Sequence, residues 1–284
     1  MSDHDRVPPP EGLTPARRVR VTRLGPAGAQ HTTDLAAAEE PLDVRLHGKS
    51  FAVIMRTPGR DRELAAGFLQ AERIIRTPDD LGAVEHCRHP DQSRVHHVVD
   101  VFLRGGAASR VAGVLEQRRD FVANSSCGIC GRSTIDELAA EIAPIGARAP
   151  VALDVIRTLP DRLRATQATF DETGGLHGAA LFTADGELIV SAEDVGRHNA
   201  VDKVFGWILI NEARVDPAVL VVSGRVAFEI VQKAWIGGVP VVAAVSAPTS
   251  LAIELAETAG IALCGFVRGA SLNIYTHTAR IAGV

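Results

Sequence analysis

Long apolar runs, lysine, aromatic rings and cysteine are all scarce in this 284-residue sequence. No apolar stretch approaches the ~20 residues of a membrane span, and none follows Arg17-Arg18 as a secretory leader requires. The expectation is therefore a cytoplasmic protein without membrane attachment. Aromatic residues make up 4% of the chain, which argues against stacking platforms for single-stranded nucleic acid. The formal charge of −4 gives no general attraction to polyanions, so a phosphate-bearing ligand must be held by a few placed groups. Lys49, Lys203 and Lys233 are the only lysines, and the remaining basic residues are arginine. The four cysteines are Cys87, Cys127, Cys130 and Cys264. In a reducing compartment they do not make a disulfide framework, and the close pair is then catalytic, redox-active or metal-binding.

Apolar residues account for 46% of the chain, enough to fill a sizeable core. At ~150 residues per domain, the length fits two domains or one large one. Residues 1–16, with Pro8-Pro9-Pro10 and no periodicity, read as a mobile tail. A small α+β subdomain is expected over 17–117. Leu42, Val44 and Leu46 alternate with polar residues, His47-Gly48-Lys49 turns, and Phe51 to Met55 returns. Leu64, Phe68 and Leu69 share a helical face, and Val98 to Leu103 forms a strand. Residues 118–150 are read as a loop carrying Cys127-Gly128-Ile129-Cys130, then a helix capped at Thr134 with Ile135, Leu138, Ala139 and Ile142 on one face. Residues 151–284 read as α/β. Ala179–Thr183 and Leu188–Ser191 form a hairpin across Asp185-Gly186, and apolar strands then alternate with helices, predicting a largely parallel core.

In an open parallel sheet, ligands bind beyond the carboxyl ends of the strands. Three turns fall there: Ser223-Gly224-Arg225, Ser246 to Ser250, and Arg268-Gly269-Ala270-Ser271. The first two open onto helix N-termini, whose free amides favour anions, and Arg225 and Arg268 supply bidentate donors. Any one of them reads as an ordinary tight turn; together they point to a site for a phosphorylated compound. The run from Glu193 to Lys203 mixes acid, guanidinium, imidazole, amide and amine. It reads either as a surface salt-bridge cluster or as a pocket wall or interdomain contact.

The cysteine pair admits several chemistries. A four-cysteine zinc site needs a second close pair, which Cys87 and Cys264 do not make. His86, His89, His96 and His97 are potential ligands or scattered surface histidines. A thioredoxin-like dithiol sits at the helix itself, whereas Gly131-Arg132-Ser133 intervenes here. What remains is a glycine-flanked loop whose thiols are activated by Arg132 and the following helix.

The assembled motifs resemble the FdhD family. They are Glu39-Glu40-Pro41-Leu42, Thr57-Pro58 with Glu63 to Leu69, Ser125 to Gly131, and Thr173 to His177. Glu193 to Lys203, Ser223-Gly224-Arg225 with Phe228-Glu229-Ile230, Ser246 to Ala252, and Gly265 to Gly269 with Asn273-Ile274-Tyr275 complete the set. The resemblance implies a formate dehydrogenase accessory sulfurtransferase. It takes sulfur from a cysteine desulfurase as a Cys127 persulfide and passes it to the molybdenum cofactor in its bis(guanine dinucleotide) form, the bound substrate, for formate dehydrogenase. By position Cys130 matches the companion cysteine, and Phe266, Val267, Arg268, Gly269, Ala270 and Ser271 match the cofactor-binding segment. The same resemblance implies a cytidine-deaminase-like three-layer α/β second domain and a homodimer. His177-Gly178-Ala179 stands where a zinc deaminase carries His-x-Glu, and the cysteine pair precedes it, so neither zinc nor deamination is expected. A cofactor chaperone without sulfur chemistry and a dithiol oxidoreductase are the rival readings.

Overall fold

The structure is a computed structural model that describes residues 14–26, 28–86, 97–118 and 135–284. The expected tail, Cys87, the Cys127–Cys130 loop and the Thr134 cap fall almost wholly outside those residues. The described chain opens with an antiparallel ribbon of β1 (Ala16–Gly25) and β2 (Gly28–Ala37). The first core contains β3 (Glu40–Leu46), β4 (Lys49–Arg56), α1 (Asp61–Ala71), β5 (Leu81–His86) and β6 (Val98–Leu103). Its four strands lie in the order β4-β3-β6-β5. Leu42, Val44 and Leu46 are fully buried with Leu64 and Leu69 of α1, as the alternation predicts. Helices α2 (Gly105–Arg118) and α3 (Ile135–Glu141) follow, and Leu138 of α3 packs into the core of the second unit.

The second unit begins with the short β7 (Val151–Ala152), α4 (Leu153–Arg164) and α5 (Ala168–Thr173). Next come β8 (His177–Phe182), β9 (Leu188–Asp194), α6 (Arg197–Ile210), β10 (Val219–Val222) and α7 (Phe228–Ile236). The chain ends with β11 (Val241–Ala244), α8 (Ser250–Ala259), β12 (Ala262–Arg268), β13 (Ser271–Ile274) and β14 (Ile281–Ala282), which pairs with β7. Six strands form one sheet, ordered β13-β12-β11-β10-β8-β9. Leu220 and Val222 face α6, α7 and α8, while Val219 and Val221 face Ile156, Leu159 and Leu163 of α4. Helices on both faces of a sheet give the three-layer α/β architecture.

The sheet corrects one expectation. Only β10, β11 and β12 run parallel; β8, β9 and β13 are antiparallel to their neighbours. Two hairpins account for this, because each tight turn appends a strand of opposite direction where a helical crossover would have kept the direction. The antiparallel setting of β8 brings its first residue, His177, to the edge where the parallel strands end, paired with Asp194 of β9.

The two units join where α1 crosses α6 through glycine. A Cβ placed on Gly67 would stand 1.9 Å from the Asp202 carbonyl oxygen, and one on Gly206 would stand 1.8 Å from that of Glu63. No side chain larger than hydrogen fits at either position without parting the helices.

Candidate functional site

Five strand termini and three helix N-termini converge on one edge of the large sheet. These are the ends of β9, β10, β11 and β12, the start of β8, and the first turns of α6, α7 and α8. Thr249 caps α8 by accepting from the Ala252 amide at 3.3 Å. The caps of α6 and α7, Gly196 and Ala227, provide no side-chain acceptor; the Ile230 amide of α7 is taken by the Ala227 carbonyl, and the first-turn amides of α6 with those of Phe228 and Glu229 remain open to an anion.

The run from Glu193 to Lys203 is mostly an interdomain fastening. Asp194 is fully buried, with Lys203 Nζ at 2.7 Å. Its carboxylate also accepts from the amides of Thr57 (3.2 Å) and Gly196 (2.8 Å) and from Asn199 Nδ2 (2.9 Å). Lys203 donates onward to the carbonyls of Thr57 and Glu193, and Asn199 to that of Met55. Glu193 accepts from the Thr169 and Phe170 amides at the start of α5. One turn deeper, Asp202 meets Lys233 at 2.5 Å; burial lifts the Asp202 carboxyl to about 6 against the pull of Lys233.

The remaining members of the run, Arg197 and His198, face the crest. Burial first, then Lys233, Arg197 and His177, hold His198 neutral down to about pH 3. Its Nε2 is buried without a hydrogen bond, 3.6 Å from the Glu229 carboxylate. His177 is likewise lowered by burial and by Arg197 and Arg225, with Asp194 opposing. The sequence admits the run from Glu193 to Lys203 as a pocket wall without marking Arg197, His198 or His177 as cofactor-binding residues. The signal available was a guanidinium and an imidazole directly after a strand end.

The nine residues expected to bind the cofactor fall into two groups. At the β10 end, the Ser223 amide donates to the Gly178 carbonyl and its hydroxyl accepts from the Gly178 amide, which ties the turn to β8. Gly224 lies against the His177 ring, where a Cβ would come within 3.2 Å of Nδ1, and Arg225 is exposed beside it. At the β12 end, a bulge sets Phe266 and Val267 opposite a single residue of β13. Phe266 takes the left-handed region at φ 53° while its amide donates to the Ser246 carbonyl. That conformation costs an L-residue roughly 1–2 kcal/mol, and it presents the ring to solvent with Arg268 beside it. Arg268 Nε donates to the Val245 carbonyl, linking this end to the β11 turn. Gly269, Ala270 and Ser271 are exposed, whereas the Val267 side chain is buried in the core and does not reach the crest.

Cys127 and Cys130, the expected catalytic pair, lie outside the described residues, so the structure does not place them relative to the crest. Cys264, on β12, is buried on the α4 face of the sheet, and burial pushes its thiol up to about 12. Among the described residues, no three His, Cys, Asp or Glu side chains are grouped to hold a metal. Nor is any helix there long and apolar enough to cross a membrane.

Comparison with known proteins decides the family. The model of the FdhD/NarQ family matches residues 37–282. The chain belongs to the FdhD/NarQ family. Among FdhD relatives, a protein of Nocardia farcinica named sulfur carrier protein FdhD is 45% identical over 278 residues, covering 96% of this chain and 97% of its own. The protein of that name from Streptomyces coelicolor is 46% identical over 271 residues, covering 93% and 95%. A third, from Anaeromyxobacter dehalogenans, is 48% identical over 256 residues, covering 87% and 88%. A crystal structure from Desulfotalea psychrophila, assigned as a formate dehydrogenase accessory protein, superposes with a TM-score of 0.74 at 24% identity. It covers 94% of this chain and all of its own, a likeness of fold.

Proposed function

We propose that this FdhD/NarQ protein carries sulfur for formate dehydrogenase maturation. The observation that carries the reading is the extended identity to relatives named sulfur carrier protein FdhD. Cys127 thiolate attacks the outer sulfur of a cysteine desulfurase persulfide. The new S–S bond forms on Cys127, the donor's S–S bond breaks, and the donor cysteine leaves as thiolate. Cys130 thiolate then attacks Cys127 Sγ, forming the Cys127–Cys130 disulfide and releasing hydrosulfide. The sulfane sulfur gains two electrons, the dithiol loses two, and a thiol reductant resets the pair.

The recipient is the molybdenum cofactor in its bis(guanine dinucleotide) form, held as substrate along the crest. Support for that placement comes from open first-turn amides, from arginines at the ends of β10 and β12, and from the strained bulge that turns Phe266 outward. Hydrosulfide replaces an oxygen ligand of the substrate, and that oxygen leaves as water after taking one proton from solvent and the proton of the hydrosulfide. The protein acts in the cytoplasm, as a homodimer.

Replacing Cys127 with alanine is the direct genetic test. The variant is expected to abolish formate dehydrogenase activity in a strain lacking the native copy, while the purified variant still binds guanosine diphosphate. Full activity with Cys127→Ala would leave a cofactor chaperone as the better reading.

A further inference from the structure

Two guanidinium groups at the β8–α6 end of the crest have no ion-pair partner among the described residues. Among the described residues, neither Arg197 nor Arg225 forms an ion pair or a hydrogen bond, and Arg197 Nε is buried without a partner. Glu193 is committed to the α5 amides and Asp194 to Lys203, Thr57 and Asn199, while Glu229 of α7 lies 3.6 Å from His198 and pairs with neither arginine. The two cations nevertheless converge. Both act on His177, and a Cβ at Gly224 would lie 3.2 Å from the His177 ring and 3.8 Å from Arg197 Cβ. Arg225 is exposed, so the cost of setting the two like charges side by side falls on the half-buried Arg197, and an anion joining them removes it. The uncapped first turns of α6 and α7 open on the same corner.

We propose that Arg197, Arg225 and His177 form a seat for one phosphoryl group, at the end of the crest away from Arg268. The inference rests on reading the crest as the cofactor platform and adds Arg197 and His177 to it. The guanidinium groups supply charge-assisted donors, and His177 donates one ring N–H in its neutral form. Free pyrophosphate and the diphosphate of a guanine nucleotide share this chemistry.

The test is calorimetric titration of the full-length protein with inorganic pyrophosphate and with guanosine diphosphate, alongside thermal melting and NMR titration of His177. Arg197→Gln is expected to weaken binding of at least one probe about tenfold or more, with no change in melting temperature, because the guanidinium has no partner in the fold. Loss for both probes assigns the seat to any diphosphate, and loss for the nucleotide alone assigns it to the nucleotide. A bound anion is expected to raise the pH at which His177 titrates, against Arg197 of α6, Asp194 of β9, His198 and Arg225, which face it. Unchanged affinities in Arg197→Gln, no binding of either probe by the wild type, or a His177 titration indifferent to saturating probe would each overturn the seat. Loss of sulfur transfer to Cys127 with the Arg197 effect intact would instead overturn the sulfur-carrier reading alone.

Discussion

Lys203 shows what a single buried charge does in this molecule. It neutralises Asp194, which in turn orders the turn presenting Arg197 and His198, and it donates to Thr57 of the other unit. Lys203→Met leaves Asp194 buried without its cation, and breaking such a pair costs about 3–5 kcal/mol. Denaturant unfolding is expected to show that loss; a change below about 1 kcal/mol would contradict the pairing's importance. His198 gives a pH signature. Between its ordinary value of 6.5 and about 3, the unfolded chain binds a proton there that the folded protein refuses. Stability from this group is therefore complete above pH 6.5 and falls as the pH drops, by up to about 1.4 kcal/mol per pH unit. Asp202 works in the opposite sense, because its raised carboxyl favours the folded state as pH falls from about 6 towards 3.8. His198→Gln is expected to gain stability relative to wild type as the pH is lowered from 6.5 to 4.5. Parallel pH–stability curves for the two proteins would contradict the burial argument.

At the scale of elements, the α1–α6 crossing is the most sensitive joint. Gly206→Ala forces the Glu63 carbonyl away from the alanine methyl, and overpacking of this kind costs about 1–3 kcal/mol or more. Gly113→Ala serves as the control: nothing lies within 4 Å of that position in α2, and alanine there gains up to about 1 kcal/mol of helix propensity. Equal melting temperatures for the two variants would refute the close approach. Elements with a one-sided or continuous apolar pattern were legible in the sequence: β3, β4, α1, β6, the β8–β9 hairpin, and the alternation from α6 to β12. The β1–β2 ribbon was not, because it is exposed on both faces and shows no burial pattern. Helix α4 was hidden by Pro160, which tertiary packing of Ile156, Leu159 and Leu163 overrides. Arg225 and Arg268 could be read as crest residues from their strand ends. Arg197 carried the weaker signal of following a strand end, and His177 could not be placed, since its position depends on the antiparallel setting of β8.

Taken whole, the molecule is two cores that share a seam. Leu209 of α6 sits in the N-terminal core, Arg60 donates to the Ser191 carbonyl, and Thr57 is bonded to both Asp194 and Lys203. A fragment spanning 150–284 therefore uncovers the α6 face and leaves the Asp194–Lys203 pair without Thr57. It is expected to bind a hydrophobic dye and melt without a cooperative transition, whereas a sharp melt would show the second unit to be self-sufficient. Sulfur carriage is the claim on which the functional account stands, and intact-protein mass spectrometry after incubation with a cysteine desulfurase and cysteine tests it most directly. The account predicts one added sulfur on Cys127, absent from Cys127→Ala and removed by a thiol reductant. A wild-type protein that stays unmodified at Cys127 while still supporting formate dehydrogenase would contradict it.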